Sequence, residues 1–139
     1  MRFQKYLYGF MVLLMAIVSS CSRPAVAPQQ IYPVTATISA FTVDSDGIAI
    51  SVPVIFKIYD IDNLAKDSDQ ILESLTFQSD DDGYVEYRHE FFLQQDERSR
   101  IVVDVSSPKY ESVQYWTAYF SAADAPAKRM EIGLVVFPK

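Results

Sequence analysis

The sequence predicts an all-β fold, an antiparallel β-sandwich of about seven short strands. Aromatic and β-branched residues dominate the chain after residue 21, and both classes favour strands over helices. No stretch in this part keeps a helical apolar period over three turns. Runs of alternating residues recur instead between Asp-, Gly- and Pro-rich turn signals, which is the pattern of a sandwich.

The first half of the domain predicts three strands. Residues 35–43 alternate and end at the turn Asp44-Ser45-Asp46-Gly47, where Asp and Gly tolerate positive φ. A short strand or bulge at 48–51 is followed by Pro53, which marks an edge or a break because proline lacks the N–H of a sheet ladder. Residues 54–59 form a clear strand. Residues 60–70 carry four aspartates and predict a surface loop with at most one helical turn.

The second half predicts the remaining strands. Residues 71–78 run into Ser79-Asp80-Asp81-Asp82-Gly83, the strongest turn signal of the chain. From residue 84 to 91 the alternation is clean and places His89 on the face of Tyr87 and Phe91. After a polar turn at 94–98, the predicted strands are 101–105 and 113–120. A turn at 122–128 that contains Pro126 then leads to a closing strand at 130–137.

The N-terminus has the pattern of a secretory signal. Arg2 and Lys5 precede an apolar run at 7–18, and no acidic residue occurs before Cys21. The run is about a dozen residues long, whereas a membrane-spanning helix needs roughly twenty. The domain organisation predicted from this is a signal peptide at 1–20, a lipidated cysteine with a flexible tether at 21–30, and one β-sandwich domain at 31–139.

The residues Val18-Ser19-Ser20-Cys21 resemble the lipobox of bacterial lipoproteins. The resemblance implies cleavage before Cys21 and lipidation of its thiol, and two or more acyl chains anchor a protein stably in a membrane. The alternative is an ordinary secreted protein that is cut near Ser19 or Ser20 and keeps a free thiol. Because Cys21 is the only cysteine, an intramolecular disulfide is excluded.

The resemblance to lipoproteins also bears on localisation. In enteric-type lipoproteins an aspartate after the lipidated cysteine favours the inner membrane, and residue 22 is a serine. In Bacteroides-like lipoproteins an acidic cluster after the cysteine favours surface export, and residues 22–30 contain no acid. These rules imply the outer membrane, on its periplasmic face rather than at the cell surface.

The charge of the mature chain argues against nucleic acid as a partner. All 18 acidic residues but only ten of the 12 basic ones follow residue 20, because Arg2 and Lys5 belong to the signal; the mature formal charge is therefore −8. A surface of this sign repels phosphate backbones and anionic head groups.

The order of the strands and turns resembles the transthyretin-like, carboxypeptidase-regulatory-like sandwich modules. The segments that carry this resemblance, over about 34–137, are Val43-Asp44-Ser45-Asp46-Gly47, Val52-Pro53-Val54-Ile55-Phe56, Ser79-Asp80-Asp81-Asp82-Gly83-Tyr84 and Ile101-Val102-Val103-Asp104-Val105 with Lys109-Tyr110. Ser79 stands where those modules usually have Thr, Lys109 stands where they have Gly, and the insertion at 60–69 is long. The resemblance implies a transthyretin-like or immunoglobulin-like sandwich that serves in binding, spacing or assembly.

Candidate catalytic and metal sites are weak in this sequence. The Asp-rich turns supply hard oxygen ligands for calcium, but neither fits a twelve-residue calcium loop, and aspartates also build turns. His89 is the only histidine, and we interpret it as a packed or interfacial residue. Asp80 and Asp82 could pair as a glycosidase acid and base, but they lie in a turn without a cleft. We expect no catalytic residues, no metal and no cofactor.

The aromatic residues provide the candidate binding surface. Both faces of the predicted strand 113–120 are apolar, although only one face of a sandwich strand meets the core. Trp116 is the primary candidate, with Tyr115 and Tyr119 as a pair on the other face. The alternative is a central strand whose outer face is covered by the tether or a loop.

The sequence therefore predicts a membrane-anchored envelope lipoprotein, held by the lipid on Cys21, that acts as a non-catalytic binding or assembly module for an envelope protein. Two alternatives remain: a glycan-binding accessory lipoprotein that uses Trp116, and a fimbrial or adhesin-type subunit that exchanges strands with its neighbours.

Overall fold

A computed structural model describes residues 27–63 and 69–139. The predicted signal peptide, Cys21, the first part of the tether and the middle of the predicted loop at 60–70 lie outside the described residues. Within these residues, no helix combines the length and the apolar character that crossing a bilayer requires. The strands are β1 (Tyr32–Asp44), β2 (Pro53–Tyr59), β3 (Asp62–Asn63), β4 (Ile71–Gln78), β5 (Tyr84–Leu93), β6 (Glu97–Ser99), β7 (Ile101–Ser107), β8 (Tyr110–Trp116), β9 (Phe120–Ser121) and β10 (Ala127–Val136).

Two sheets form the sandwich and confirm the predicted all-β class. Sheet A has the strand order β10-β1-β5, and sheet B has the order β4-β2-β7-β8. These are seven strands, the number expected from the turn spacing. The three short strands form a separate small sheet, sheet C, in the order β3-β6-β9.

The core lies between sheets A and B, because alternate side chains of each long strand point inward. In β2 these are Val54, Phe56 and Ile58, and each is at most 1% exposed. Phe56 contacts Tyr87 of the opposite sheet at 5.1 Å between ring centroids, with the two rings tilted by 33°. Phe120 of β9 is fully buried and packs on Phe91 at 5.5 Å, which joins sheet C to the core.

One strand pairing departs from the antiparallel expectation, because β1 and β10 are parallel, with Thr35 opposite Ala127 and Asp44 opposite Val136. The N–H of Thr35 donates to the carbonyl of Pro126 at 2.9 Å, so β10 starts beside the N-terminal part of β1. The residues between β8 and β10 bring the chain to the N-terminal end of β1, so β10 starts there and runs in the same direction as β1. Alternation along a strand predicts which side chains are buried, but not which strand lies beside it.

Several predicted elements need correction. The predicted surface loop at 60–70 contains the short strand β3, in which Asp62 is buried. Residues 48–51 form no strand, and only an isolated bridge joins Ala49 to Val43. The predicted polar turn at 94–98 includes the start of β6, since Arg98 pairs with Asp62 in sheet C. The predicted strand 113–120 ends at Trp116, because the Thr117 side chain accepts a hydrogen bond from the N–H of Ile101 at 3.1 Å and interrupts the ladder.

Candidate binding surface

Trp116 lies at the end of β8, on the outer face of sheet B. β8 is an edge strand of this sheet, so the alternative of a covered central strand is wrong. Trp116 stands opposite Val102 in the register, and Lys57 stands opposite Val102 from the other side. Val102 points outward yet is 0% exposed, so its neighbours on the outer face cover it. Trp116 itself remains 45% exposed.

The guanidinium of Arg100 lies among three aromatic rings. Its carbon is 4.3 Å from the ring centroid of Trp116, 4.9 Å from that of Tyr59 and 5.5 Å from that of Tyr119. Its Nη1 also donates a hydrogen bond to the Tyr119 hydroxyl at 3.3 Å. We call Tyr59, Arg100, Trp116 and Tyr119 the Arg100 cluster. Each cation–π contact contributes about 0.5–2 kcal/mol, depending on desolvation, so these four side chains hold one another in place.

The Arg100 cluster continues into sheet C through a second arginine. The guanidinium of Arg98 lies 4.0 Å from the ring centroid of Tyr119, the ring that Arg100 also contacts. Its Nε donates to Asp62 Oδ1 at 2.9 Å, and the Asp62 side chain is only 4% exposed. Guanidinium and aromatic groups thus alternate from Arg98 through Tyr119 and Arg100 to Trp116.

Tyr115 lies on the face opposite Trp116, as predicted, whereas Tyr119 does not. Tyr115 stands opposite Val103, whose side chain is buried on the inner face of sheet B, and Tyr115 is 39% exposed at the sheet edge. Tyr119 does not share that face, because the strand ends at Trp116 and the alternation ends with it. Tyr119 instead joins Trp116 through Arg100. Sequence reasoning missed Tyr59, Arg98 and Arg100, which lie in other strands or loops and carry no motif.

A shallow depression of about 440 Å³ adjoins Trp116 on the same face. Its polar lining includes Lys57, Asp104 and Gln114. The indole Nε1 of Trp116 donates to Gln114 Oε1 at 2.9 Å, which fixes the orientation of the indole. An aromatic ring beside convergent polar groups is an arrangement that suits a hydroxyl-rich ligand.

The Asp-rich turns use their aspartates in backbone hydrogen bonds. Asp44 Oδ1 accepts from the N–H groups of Asp46 and Ile48, both at 2.9 Å. Asp80 Oδ1 accepts in the same way from Asp82 at 3.0 Å and from Tyr84 at 2.8 Å. Turn formation therefore accounts for both clusters. Among the described residues, no group of three or more His, Cys, Asp or Glu side chains is placed to hold a metal ion.

His89 lies at the open edge between the two sheets, on the predicted face. Its Nδ1 is hydrogen-bonded to the Tyr87 hydroxyl at 3.1 Å, and its ring contacts Phe91 edge-on at 4.5 Å between centroids. Burial lowers the pKa of His89, and the nearby charge of Glu73 on β4 partly opposes this. Burial and the same glutamate raise the pKa of Tyr87. Both shifts favour the neutral forms of the two groups.

We expect this histidine to make the fold sensitive to mild acid. Because its pKa is lower in the folded than in the unfolded protein, the unfolded state binds the proton more readily, so stability falls as the pH drops below about 6.5. The free energy of unfolding, measured from pH 7.5 to 5, should decrease in the natural protein. The decrease should be smaller in His89→Gln, and an identical profile for the variant would contradict this account.

No family model matches the chain, and no curated protein is similar to it in sequence. Among solved structures, one match is the crystal structure of 3-chlorocatechol 1,2-dioxygenase from Rhodococcus opacus 1CP, with 11% identity and a TM-score of 0.49. The match covers 84% of this chain, and the chain spans only 64% of that enzyme. A similarity this low transfers neither an activity nor site residues, and the transthyretin-like resemblance stays a prediction.

Proposed function

We propose that this chain is an envelope lipoprotein, anchored through Cys21, whose β-sandwich is a non-catalytic module that binds an envelope protein. The observation that carries the proposal is the Arg100 cluster on the outer face of sheet B. Protein–protein hot spots are enriched in Trp, Tyr and Arg, the three residue types that compose this cluster. The lipobox-like sequence supplies the anchor, and the predicted tether supplies the reach.

The contacts within the Arg100 cluster support binding because they organise it in advance. Arg100 is held by three rings and by the Tyr119 hydroxyl, and the Trp116 indole is fixed by Gln114. Ordering a flexible side chain on binding costs about 0.5–1.5 kcal/mol. Side chains that are already fixed avoid most of this cost, while Trp116 keeps 45% of its surface for a partner.

Replacing Trp116 tests the surface. In pull-downs from envelope membranes with the full-length lipidated protein, Trp116→Ala should weaken recovery of the specific partner by about thirtyfold, the effect of a hot-spot residue. The matched control is Phe92→Ala, because Phe92 is 58% exposed on the outer face of the opposite sheet. Equal recovery with both variants would exclude the Arg100 cluster as the binding surface.

The anchor is tested separately with Cys21→Ala. Mass spectrometry of the natural protein should find an acylated N-terminal cysteine, and the variant should leave the membrane fraction, since it lacks the acyl chains. An unmodified N-terminus would remove the basis for the outer-membrane, periplasm-facing localisation.

A glycan is the second candidate ligand, favoured by the depression of Lys57, Asp104 and Gln114 beside Trp116. A change in Trp116 fluorescence with neutral polysaccharide, without capture of a protein, would support it. The fimbrial alternative requires strand exchange at an open edge such as β4, and concentration-dependent polymers would support that function instead.

A further inference from the structure

Four basic side chains in or beside the Arg100 cluster are each paired with an aspartate. The pairs are Lys57–Asp104, Arg98–Asp62, Arg100–Asp69 and Lys128–Asp124. In three of them the aspartate side chain is at most 22% exposed. Asp69 differs, because its side chain is 85% exposed. Of these four basic residues, Arg100 is therefore the one whose aspartate partner is almost fully exposed to water.

The contact between Arg100 and Asp69 is easily exchanged. Arg100 Nη2 donates to Asp69 Oδ1 at 3.0 Å. A salt bridge with so exposed a member contributes only about 0–1 kcal/mol, because water competes for the Asp69 carboxylate. The guanidinium does not depend on Asp69 for its position, since the rings of Tyr59, Trp116 and Tyr119 hold it from other sides. Loss of Asp69 would leave an oriented donor at the surface.

We infer that the partner presents an acidic peptide segment to Arg100. In the unbound protein, Asp69 occupies the position that a carboxylate of this segment takes in the complex. This inference rests on the proposed function and names the chemistry that the Arg100 cluster recognises. A glutamate or aspartate of the partner replaces Asp69 on Nη2, and an apolar neighbour in the same segment packs on the exposed part of Trp116. Asp69 thereby competes with the partner and limits its affinity.

The negative charge of the mature chain does not oppose such a partner at this position. Charges are screened over about 8 Å at physiological ionic strength, so the guanidinium of Arg100 decides the interaction rather than the net charge of the chain. Arg98 lies next to Arg100 along the same row of rings, where its own charge is paired with Asp62. The planar guanidinium also matches a carboxylate better than an ammonium does.

The test uses full-length lipidated protein in detergent micelles and capped eight-residue peptides that lack tryptophan. Each peptide carries one glutamate and one aromatic residue, and its matched partner carries glutamine instead. Trp116, the only tryptophan, reports binding by its fluorescence. Glutamate peptides should bind more tightly than glutamine peptides, and Asp69→Asn should increase their affinity about threefold to fivefold, the value of an exposed pair. Arg100→Gln should abolish the preference for glutamate.

Asp46→Asn is the control, because it removes the same charge from an exposed turn at the opposite end of the sandwich. The inference is overturned if no peptide binds, if glutamate and glutamine peptides bind alike, or if Asp69→Asn and Asp46→Asn have equal effects. Tightening by Asp69→Asn for oligogalacturonate but not for peptides would assign the surface to acidic glycans and also overturn it. One result would separate the two proposals. If capture of the partner requires Trp116 but is not strengthened by Asp69→Asn, the proposed function stands and this inference fails.

Discussion

Gly83→Ala is expected to lower the free energy of unfolding by at least about 3 kcal/mol, since a strained backbone and a steric overlap add together. Gly83 has φ +74°, in the left-handed region that residues with a Cβ rarely adopt. A Cβ at this position would also lie 3.2 Å from the carbonyl carbon of Thr42 and collide with its oxygen. Neither backbone can move away, because the N–H of Thr42 donates to the carbonyl of Gly83 at 2.8 Å.

Gly47→Ala is the matched control for this prediction. Gly47 has a similar φ of +80°, but a Cβ there would meet no atom within 4 Å. Its substitution should therefore lower the free energy of unfolding only by the cost of a left-handed backbone conformation, about 1–2 kcal/mol. Urea unfolding followed by Trp116 fluorescence measures both variants. Equal losses would show that the approach of Thr42 to Gly83 does not contribute to stability.

The two turns illustrate what the sequence could predict. The Asp–Gly turns depend on local chemistry, namely a side-chain oxygen that bonds to nearby N–H groups and a residue that accepts positive φ. Both turns were identified for that reason, and alternation in the same way placed His89 of β5 on the face of Tyr87 and Phe91. The contact between the two turns was not predictable, because it depends on Thr42. Its Oγ1 lies 2.9 Å from Ser79 Oγ and donates to the carbonyl of Gly83 at 3.0 Å.

The candidate binding surface was only partly predictable for the same reason. Trp116 stood out because both faces of its segment are apolar. Arg100 gave no such signal, since an arginine next to a strand is ordinary, and its neighbours Tyr59 and Tyr119 come from distant parts of the chain. Tyr119 was assigned to the wrong side because alternation was extended past Thr117, where a side-chain hydrogen bond to Ile101 ends the ladder. The composition of this segment indicated an aromatic surface, but only the folded structure places the guanidinium of Arg100 among the rings.

Lys57→Met is expected to destabilise the fold by about 2–4 kcal/mol, because it leaves the Asp104 carboxylate without a counter-ion. Lys57 Nζ bonds to Asp104 Oδ2 on the outer face of sheet B. The Asp104 side chain is only 13% exposed, and its Oδ1 is buried without a hydrogen-bond partner among the described residues. With so little exposed surface, the carboxylate gains only partial hydration in place of the ammonium group.

The reverse change should be milder, and the double change should restore stability. In Asp104→Leu the lysine stem can extend its ammonium into water, so we expect a loss of about 1 kcal/mol. Lys57→Met with Asp104→Leu replaces the pair by apolar side chains of similar size and should return to within about 1 kcal/mol of the natural protein. Urea unfolding of all three variants gives the coupling energy. Additive losses would mean that the pair acts as two independent surface charges, and that the sheet supporting the Arg100 cluster does not depend on it.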